Sequence, residues 1–341
     1  VLGWYVATQQ TKYDVQLGKG RGLKVAERDP LGNEIRLAYD LFELLPVRST
    51  GPTGIVEAAA LDLRLFLPVE LTEPNGNRSR LHYSPLGLVE RRVVLGPEAT
   101  VWGDSDEAPT VRHEYDLSAF YARGEPVSVR TTQRLHFAQS DHRPAQPPAE
   151  PDAVRVAVEF SDGFGRLLQM RTVAEQALRC DPAVLVAGAP AELLALAGAE
   201  TAPILRHPVD PAGPPLVVVS GRKRYDVKGN EIETHHPYFS WGLAYAAAET
   251  GTPHARMRYD ARRELVATST VDGAERSRYF GRPDDLTRPA SVTPSPWLRT
   301  GYDANDNAGR THPQQASGYS DHWNTPVVTE VDALGRTVRR S

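Results

Sequence analysis

One short pattern recurs along the chain and limits what it can become: Asp, or a substitute for it, followed three residues later by Gly, with alternating residues on either side. It occurs in VAERDPLGNEIRLAY (25–39), LHYSPLGLVERRV (81–93), VEFSDGFGRLLQM (158–170), GRKRYDVKGNEIET (221–234) and TEVDALGRTVRR (329–340). LTEPNGNRSRLHY (71–83) is a looser copy. The chemistry is that of a β-hairpin. Asp29, Asp162, Asp226 and Asp332 suit the first position of a type I turn, where the carboxylate accepts a backbone N–H. Gly32, Gly165, Gly229 and Gly335 then supply the positive φ of a G1 bulge, and Gly76 and Gly87 hold the same place in their copies. Pro30 fits the second turn position through its fixed φ. Each Gly is followed by an alternating run such as Asn33-Glu34-Ile35-Arg36 or Arg336-Thr337-Val338-Arg339. Period 2 with charge on one side predicts sheets with one wet face. The copies are spaced irregularly, which argues against a strict solenoid of fixed period.

The rest of the composition agrees. The chain has 341 residues with 27 Gly and 28 Pro, a content that favours turns over long helices. A net charge of −4 gives no electrostatic case for nucleic acid, and no apolar run is long enough for a membrane span. Cys180 stands alone, so no intrachain disulfide can form. The chain begins VLGWYVA without a basic-then-apolar leader and ends on TVRRS, which reads as a piece of something longer. Both ends are strand-like and uncapped, so the piece by itself is expected to associate edge to edge. Helix signals are few: AELLALAGAE (191–200) and LAYAAAET (243–250), the second ended by Gly251 and Pro253. A Pro-rich loop is expected over 143–152 and an insertion over 181–215. The same hairpin chemistry lies on both sides of them, which favours one continuous sheet system over 1–341.

At this point the residues resemble a known family. YDVKGNE, DPLGNE and DALGRTV look like the YD motifs of RHS-repeat proteins. SDGFGRLLQ (161–169), VSGRKRYDVKGNEIETHHPYFS (219–240), MRYDARRELVATSTVDG (257–273), YDANDNAGRTH (302–312) and VDALGRTVR (331–339) follow one another in an order similar to that of insecticidal toxin complex B components and virulence-plasmid protein B relatives. The resemblance implies a mainly β fold: irregular RHS/YD-repeat hairpins forming part of a large curved sheet or hollow shell, with one or two short helices in insertions. It also implies a role, that of a shell segment enclosing a C-terminal toxic cargo in a secreted or cell-surface bacterial protein. The implied partners are the remaining RHS repeats of the same or a partner chain, the enclosed cargo and a channel-forming toxin subunit. No motif matches the family's aspartyl self-cleavage site, so that activity is not carried over. In MRYDARRELVA the turn Gly is missing, and a looser turn is expected there.

Residues that could carry chemistry have plainer readings beside them. Asp303, Asn305, Asn307 and Gly309 resemble a calcium loop, but the Gly falls one place late and Gln314 stands where a bidentate Glu is required. A turn closed by side-chain-to-backbone hydrogen bonds is the expected form. His235 and His236 are adjacent and on a strand would point to opposite faces, which does not suit one metal ion. LGKGRG (17–22) lacks the spacing of a phosphate loop and reads as a flexible turn between strands. Cys180 has no motif of an activated thiolate. Tyr238, Phe239, Trp241, Trp297 and Trp323 could line a sugar platform, though such residues more often fill a core or close a sheet edge. No carboxylate pair stands out for glycoside hydrolysis. The expectation is a structural chain without catalytic, cofactor or metal residues. A glycan- or protein-binding module of a cell-surface RHS/YD protein is the alternative, and a glycosidase-like all-β enzyme the third.

Overall fold

The computed structural model describes residues 8–138, 153–174, 214–247, 252–287, 291–313 and 322–341. The Pro-rich loop, Cys180, the 191–200 segment and nearly all of the 181–215 insertion lie outside the described residues. The chain is mainly β and divides into two compact units, residues 1–115 with 129–156 and residues 116–128 with 157–341.

The first unit is a meander. Its strands are β1 (Gln10–Tyr13), β2 (Lys24–Arg28), β3 (Glu34–Tyr39), β4 (Pro46–Thr50), β5 (Val56–Asp62), β6 (Leu67–Thr72), β7 (Arg78–Tyr83), β8 (Val89–Leu95), β9 (Val111–Asp116) and β10 (Val127–Arg134). From β1 to β9 each strand pairs antiparallel with the next in the chain. The turns between them start at Asp29, Asp40, Gly51, Asp62, Glu73 and Ser84, eleven residues apart each time. In every one the N–H of the fourth residue donates to the carbonyl of the first. The spacing over this stretch is therefore strict, contrary to the irregular spacing expected from the Asp-to-Gly pattern. Five of the six turns lack one of its marks: Gly51, Glu73 and Ser84 stand for Asp, while Glu43 (φ 55°) and, one place late, Phe66 (φ 56°) take the left-handed region in turns without Gly.

Register sorts the side chains into two faces, because residues paired across antiparallel strands point the same way. One face carries Ile35, Leu37, Val47, Ala59, Leu71, Leu81 and Val94, interrupted by Glu27, Ser49, Glu57, Ser79 and Arg92. The other carries a ladder of charge in which Glu34 binds Arg28 and Arg36, and Arg80 joins Glu70 to Asp106. The segment after β8 folds back over this charged face and seals Val93, which is fully buried. Among the described residues of the unit, Ala26, Val93 and Pro109 are the only buried apolar side chains; Ile35 and Leu71 on the apolar face remain 44% and 40% exposed.

The second unit holds β11 (Val154–Ser161), β12 (Leu167–Val173), β13 (Leu216–Ser220), β14 (Lys223–Tyr225), β15 (Glu231–His235), β16 (Tyr238–Trp241), β17 (His254–Tyr259), β18 (Leu265–Ser269), β19 (Glu275–Pro283), β20 (Val292–Tyr302), β21 (Val327–Val331) and β22 (Thr337–Arg340). β11, β12, β13 and β16 are neighbours in that order. The other eight form a sheet in the order β14-β15-β17-β18-β19-β20-β21-β22. Val158, Phe160, Leu216, Val217 and Val219 are buried in the first set; Ala267, Tyr302 and Val331 are buried in the second.

Among the described residues the one α-helix is Ala119–Arg123, stopped by Gly124 at φ 69°, and a 3-10 turn spans Asp14–Leu17. The helix expected over 243–250 is not formed in its described part, 243–247. Gly242 turns the chain at φ 77° and donates to Pro215 O, and Gln169 Nε2 then donates to Ala246 O. The local Ala-rich propensity yields to these tertiary bonds.

Candidate functional site

The recurring turn is built within five residues. Asp29 Oδ1 accepts the N–H groups of Leu31 (2.9 Å) and Asn33 (2.8 Å), while Asp29 Oδ2 accepts Asn33 Nδ2 at 2.7 Å. Asp226 repeats the arrangement with Lys228 N, Asn230 N and Asn230 Nδ2. At Asp162 and Asp332 an Arg replaces the Asn, and Arg166 Nε (2.7 Å) and Arg336 Nε (2.8 Å) take the second oxygen. The Asn or Arg that follows the Gly thus completes the carboxylate's set of donors. The side-chain bond from that residue, reinforced by the backbone N–H groups, holds Asp29, Asp226 and Asp332 below the ordinary carboxylate range. At Asp162 burial pushes upward and is outweighed by the Arg166 side chain and the same kind of backbone bonds. Acids with lowered folded values stabilise the hairpins above the ordinary value near 3.8, and that contribution is lost as pH falls through the folded value.

Gly32 (φ 90°), Gly76 (84°), Gly87 (80°), Gly165 (75°), Gly229 (83°) and Gly335 (76°) all lie in the left-handed region. A Cβ at Gly165 or Gly335 would meet nothing within 4 Å, so only backbone strain opposes a side chain there. Gly165→Val and Gly335→Val are expected to cost about 1–2 kcal/mol each in urea unfolding. Variants that unfold with the parent would show that these positions do not need a positive φ. The Gly-less turn at Asp260 is no looser than the others: Arg263 takes φ 69°, its N–H donates to Asp260 O, and Asp260 Oδ1 accepts Arg262 N and Glu264 N.

A second element escaped the sequence reading. The tyrosine just before a turn reaches back to a backbone carbonyl: Tyr39 to Lys24 O, Tyr83 to Pro68 O, Tyr115 to Val89 O, Tyr225 to Leu167 O and Tyr302 to Leu286 O, at 2.8–3.1 Å. Each hydroxyl satisfies a carbonyl on another segment and pins the turn to it. The signal was present as the repeated Tyr-Asp pairs 39–40, 115–116, 225–226, 259–260 and 302–303.

The chemical candidates are engaged structurally. Asp303 Oδ1 accepts Asp306 N. Asp306 Oδ1 accepts Thr325 N and Oγ1, and its Oδ2 accepts Asp303 N. Asn307 Nδ2 donates to Glu275 O, and its side-chain oxygen accepts Arg310. The calcium-like stretch is thus a turn tied together by its own side chains; Gln314 lies outside the described residues. This loop borders an open hollow of about 620 Å³, whose other walls include Arg276, Arg278 and Thr268. His235 is buried and His236 exposed. Among the described residues no cluster of three metal-ligating side chains exists, and no helix is long and apolar enough to cross a membrane. LGKGRG is a turn ordered around Asp14, which is 1% exposed and accepts the N–H groups of Arg21, Gly22 and Leu23. Phe239, Trp241 and Trp297 are exposed instead of filling a core; Phe239 and Trp241 sit on β16, the outermost strand beside β13. Tyr238 and Trp323 are half-buried.

No protein-family model matches the sequence, and none of the curated proteins is similar to it. Among solved structures it is similar to TcdB2-TccC3, with 20% identity, a TM-score of 0.64, and coverage of 98% of this chain and 15% of that one. TcdB2-TccC3 without its hypervariable C-terminal region matches at 18% identity and a TM-score of 0.60, over 98% of this chain and 17% of that one. The Tc holotoxin pore of Photorhabdus luminescens matches at 19% identity and a TM-score of 0.58, over 90% of this chain and 16% of that one. The likeness is one of fold. This chain spans under a fifth of the length of each of these structures, and its fold is of the type they contain.

Proposed function

We propose that this chain is a length of wall in a secreted bacterial toxin-complex protein of the RHS/YD-repeat type, one that encloses a toxic cargo. The observation that carries the reading is the first unit's meander, with one charged face, one mostly apolar face and, among its described residues, almost no buried core. A catalytic or binding domain of this length would ordinarily bury its apolar face against a second layer. Here that face is half-exposed and carries a trough of about 390 Å³ between Leu37 and Leu71. The fold likeness to TcdB2-TccC3 supports the same reading. Such a wall works sterically. Its ladders satisfy the backbone, its paired strands leave few edges, and its apolar side tolerates an unfolded polypeptide that water would collapse. Further repeats of the same or a partner chain complete the enclosure, and a channel-forming toxin subunit receives the cargo. No catalytic residue, metal or cofactor takes part.

Thiol accessibility in the full-length protein tests this. In a Cys180→Ser background, cysteines placed by Leu37→Cys and Leu71→Cys are expected to resist a bulky polar maleimide until the protein is denatured. Those placed by Arg36→Cys and Arg48→Cys are expected to react at once. Equal labelling of both faces would overturn the enclosure. A second reading, a glycan-binding module, is favoured by the exposed Phe239 and Trp241, which share a face of β16. Saturable quenching of tryptophan fluorescence by a glycan would move it ahead.

A further inference from the structure

In the second unit, β15 and β17 meet through only three residue pairs: Glu233↔Arg256, Thr234↔Ala255 and His235↔His254. This short seam joins the β14–β15 hairpin to the six strands from β17 to β22. At its end two imidazoles are stacked, with ring centroids 4.8 Å apart and planes 32° from parallel. Both are tied to Thr252. His235 Nδ1 lies 2.7 Å from Thr252 Oγ1, and His254 Nδ1 donates to Thr252 O at 2.8 Å. Arg256 Nε donates to His254 Nε2 at 3.0 Å, so both nitrogens of His254 are occupied in its neutral form. We propose that this seam is an acid-sensitive latch: protonation of the stacked His235–His254 pair loosens the pairing of β15 with β17 and frees the β14–β15 hairpin from the strands beyond.

The surroundings decide the direction. A second proton on His254 has to displace Arg256 from Nε2. A proton on His235 places a cation 8% exposed against its neighbour's ring. Arg222 and Arg224 face the pair from the β14 side, Arg256 faces it from β17, and His236 lies on the opposite, exposed face. Glu233 on β15 is the carboxylate that opposes them. It is shared, with Arg224 Nη1 at 3.2 Å, His235 Nε2 at 3.7 Å and Arg256 Nε at 3.8 Å. Burial, then Arg222, then His254 push the His235 pKa down, and Glu233 does not reverse them. The unfolded chain takes up its proton near the ordinary value of 6.5, above the folded value. The seam is therefore fully stable above 6.5 and weakens as pH falls through that value toward the lowered one. The inference concerns the seam alone and does not depend on the wall reading.

Hydrogen exchange of the β15 and β17 amides in the 341-residue chain tests it, with rates corrected for the intrinsic effect of pH. Protection is expected to fall several-fold between pH 7 and pH 5. A His235→Gln, His254→Gln variant is expected to remove that dependence. NMR titration of the imidazoles in the parent chain gives a reading that needs no variant: His235 should titrate below 6.5. A His235 midpoint at or above 6.5, protection that does not change with pH, or an equal loss in the double variant would each overturn the latch.

Discussion

Gly281→Ala will disrupt the β19–β20 hairpin, at an expected cost of about 3 kcal/mol or more in denaturant unfolding. Gly281 takes φ 145°, and a Cβ there would sit 2.1 Å from Thr293 O and 2.9 Å from Pro294 Cα. Both obstacles are backbone, so no side chain can swing aside. The close approach has a cause in the register. Phe280 pairs with Arg299 and Gly281 with Pro294, so β20 throws out the residues between, Trp297 among them. Thr300, 1% exposed, locks the irregularity by donating its hydroxyl to Gly281 O at 3.0 Å. The turn glycines make the contrast. At Gly165 the same substitution meets open space and pays only for a left-handed backbone. If Gly281→Ala costs no more than Gly165→Ala, the close approach of β19 and β20 is wrong.

The second large effect is expected at Arg171. Its side chain is 1% exposed, as is that of Gln169 beside it. Arg171 Nε donates to Gln169 Oε1 at 3.1 Å, and Nη1 reaches Trp241 O at 3.2 Å and Gly242 O at 3.0 Å. Gln169 Nε2 holds Ala246 O at 3.0 Å. Together they anchor the chain after β16 onto β12. Arg171→Met removes a buried guanidinium from those part-buried acceptors and should cost about 3 kcal/mol, the upper range for hydrogen bonds to a charged group. Arg171→Lys should recover little of it, since one ammonium cannot span the guanidinium's positions. Adding Gln169→Leu to Arg171→Met should cost less than the two changes summed, because they break one network. Additive losses, or an Arg171→Met variant as stable as the parent, would refute the anchor. Exchange of the 242–247 amides reports it locally.

The hairpin turns were legible because every atom that makes them lies within five consecutive residues. An Asp, a Gly and a following Asn or Arg are enough to specify the hydrogen bonds and the positive φ. The strict spacing was not legible, since Glu43 and Phe66 adopt the left-handed region without the glycine that would have marked it. Strand pairing forces that conformation on residues whose own preference is against it. The one-sided charge was also visible in the period-2 runs; which strands share the apolar face required the register.

What lies far apart in the chain only the tertiary structure decided. The tyrosine hydroxyls span 15 residues at Tyr39 and 58 at Tyr225 to reach their carbonyls. Arg171 finds its acceptors some 70 residues on. The constraint on Gly281 comes from the backbone of another strand, and the histidine stack exists only because β15 and β17 are neighbours. A local turn pays for its order within the residues that form it, so composition and spacing reveal it. A contact closed over a long loop depends on everything between, and its partners carry no mark in the sequence until the chain has folded.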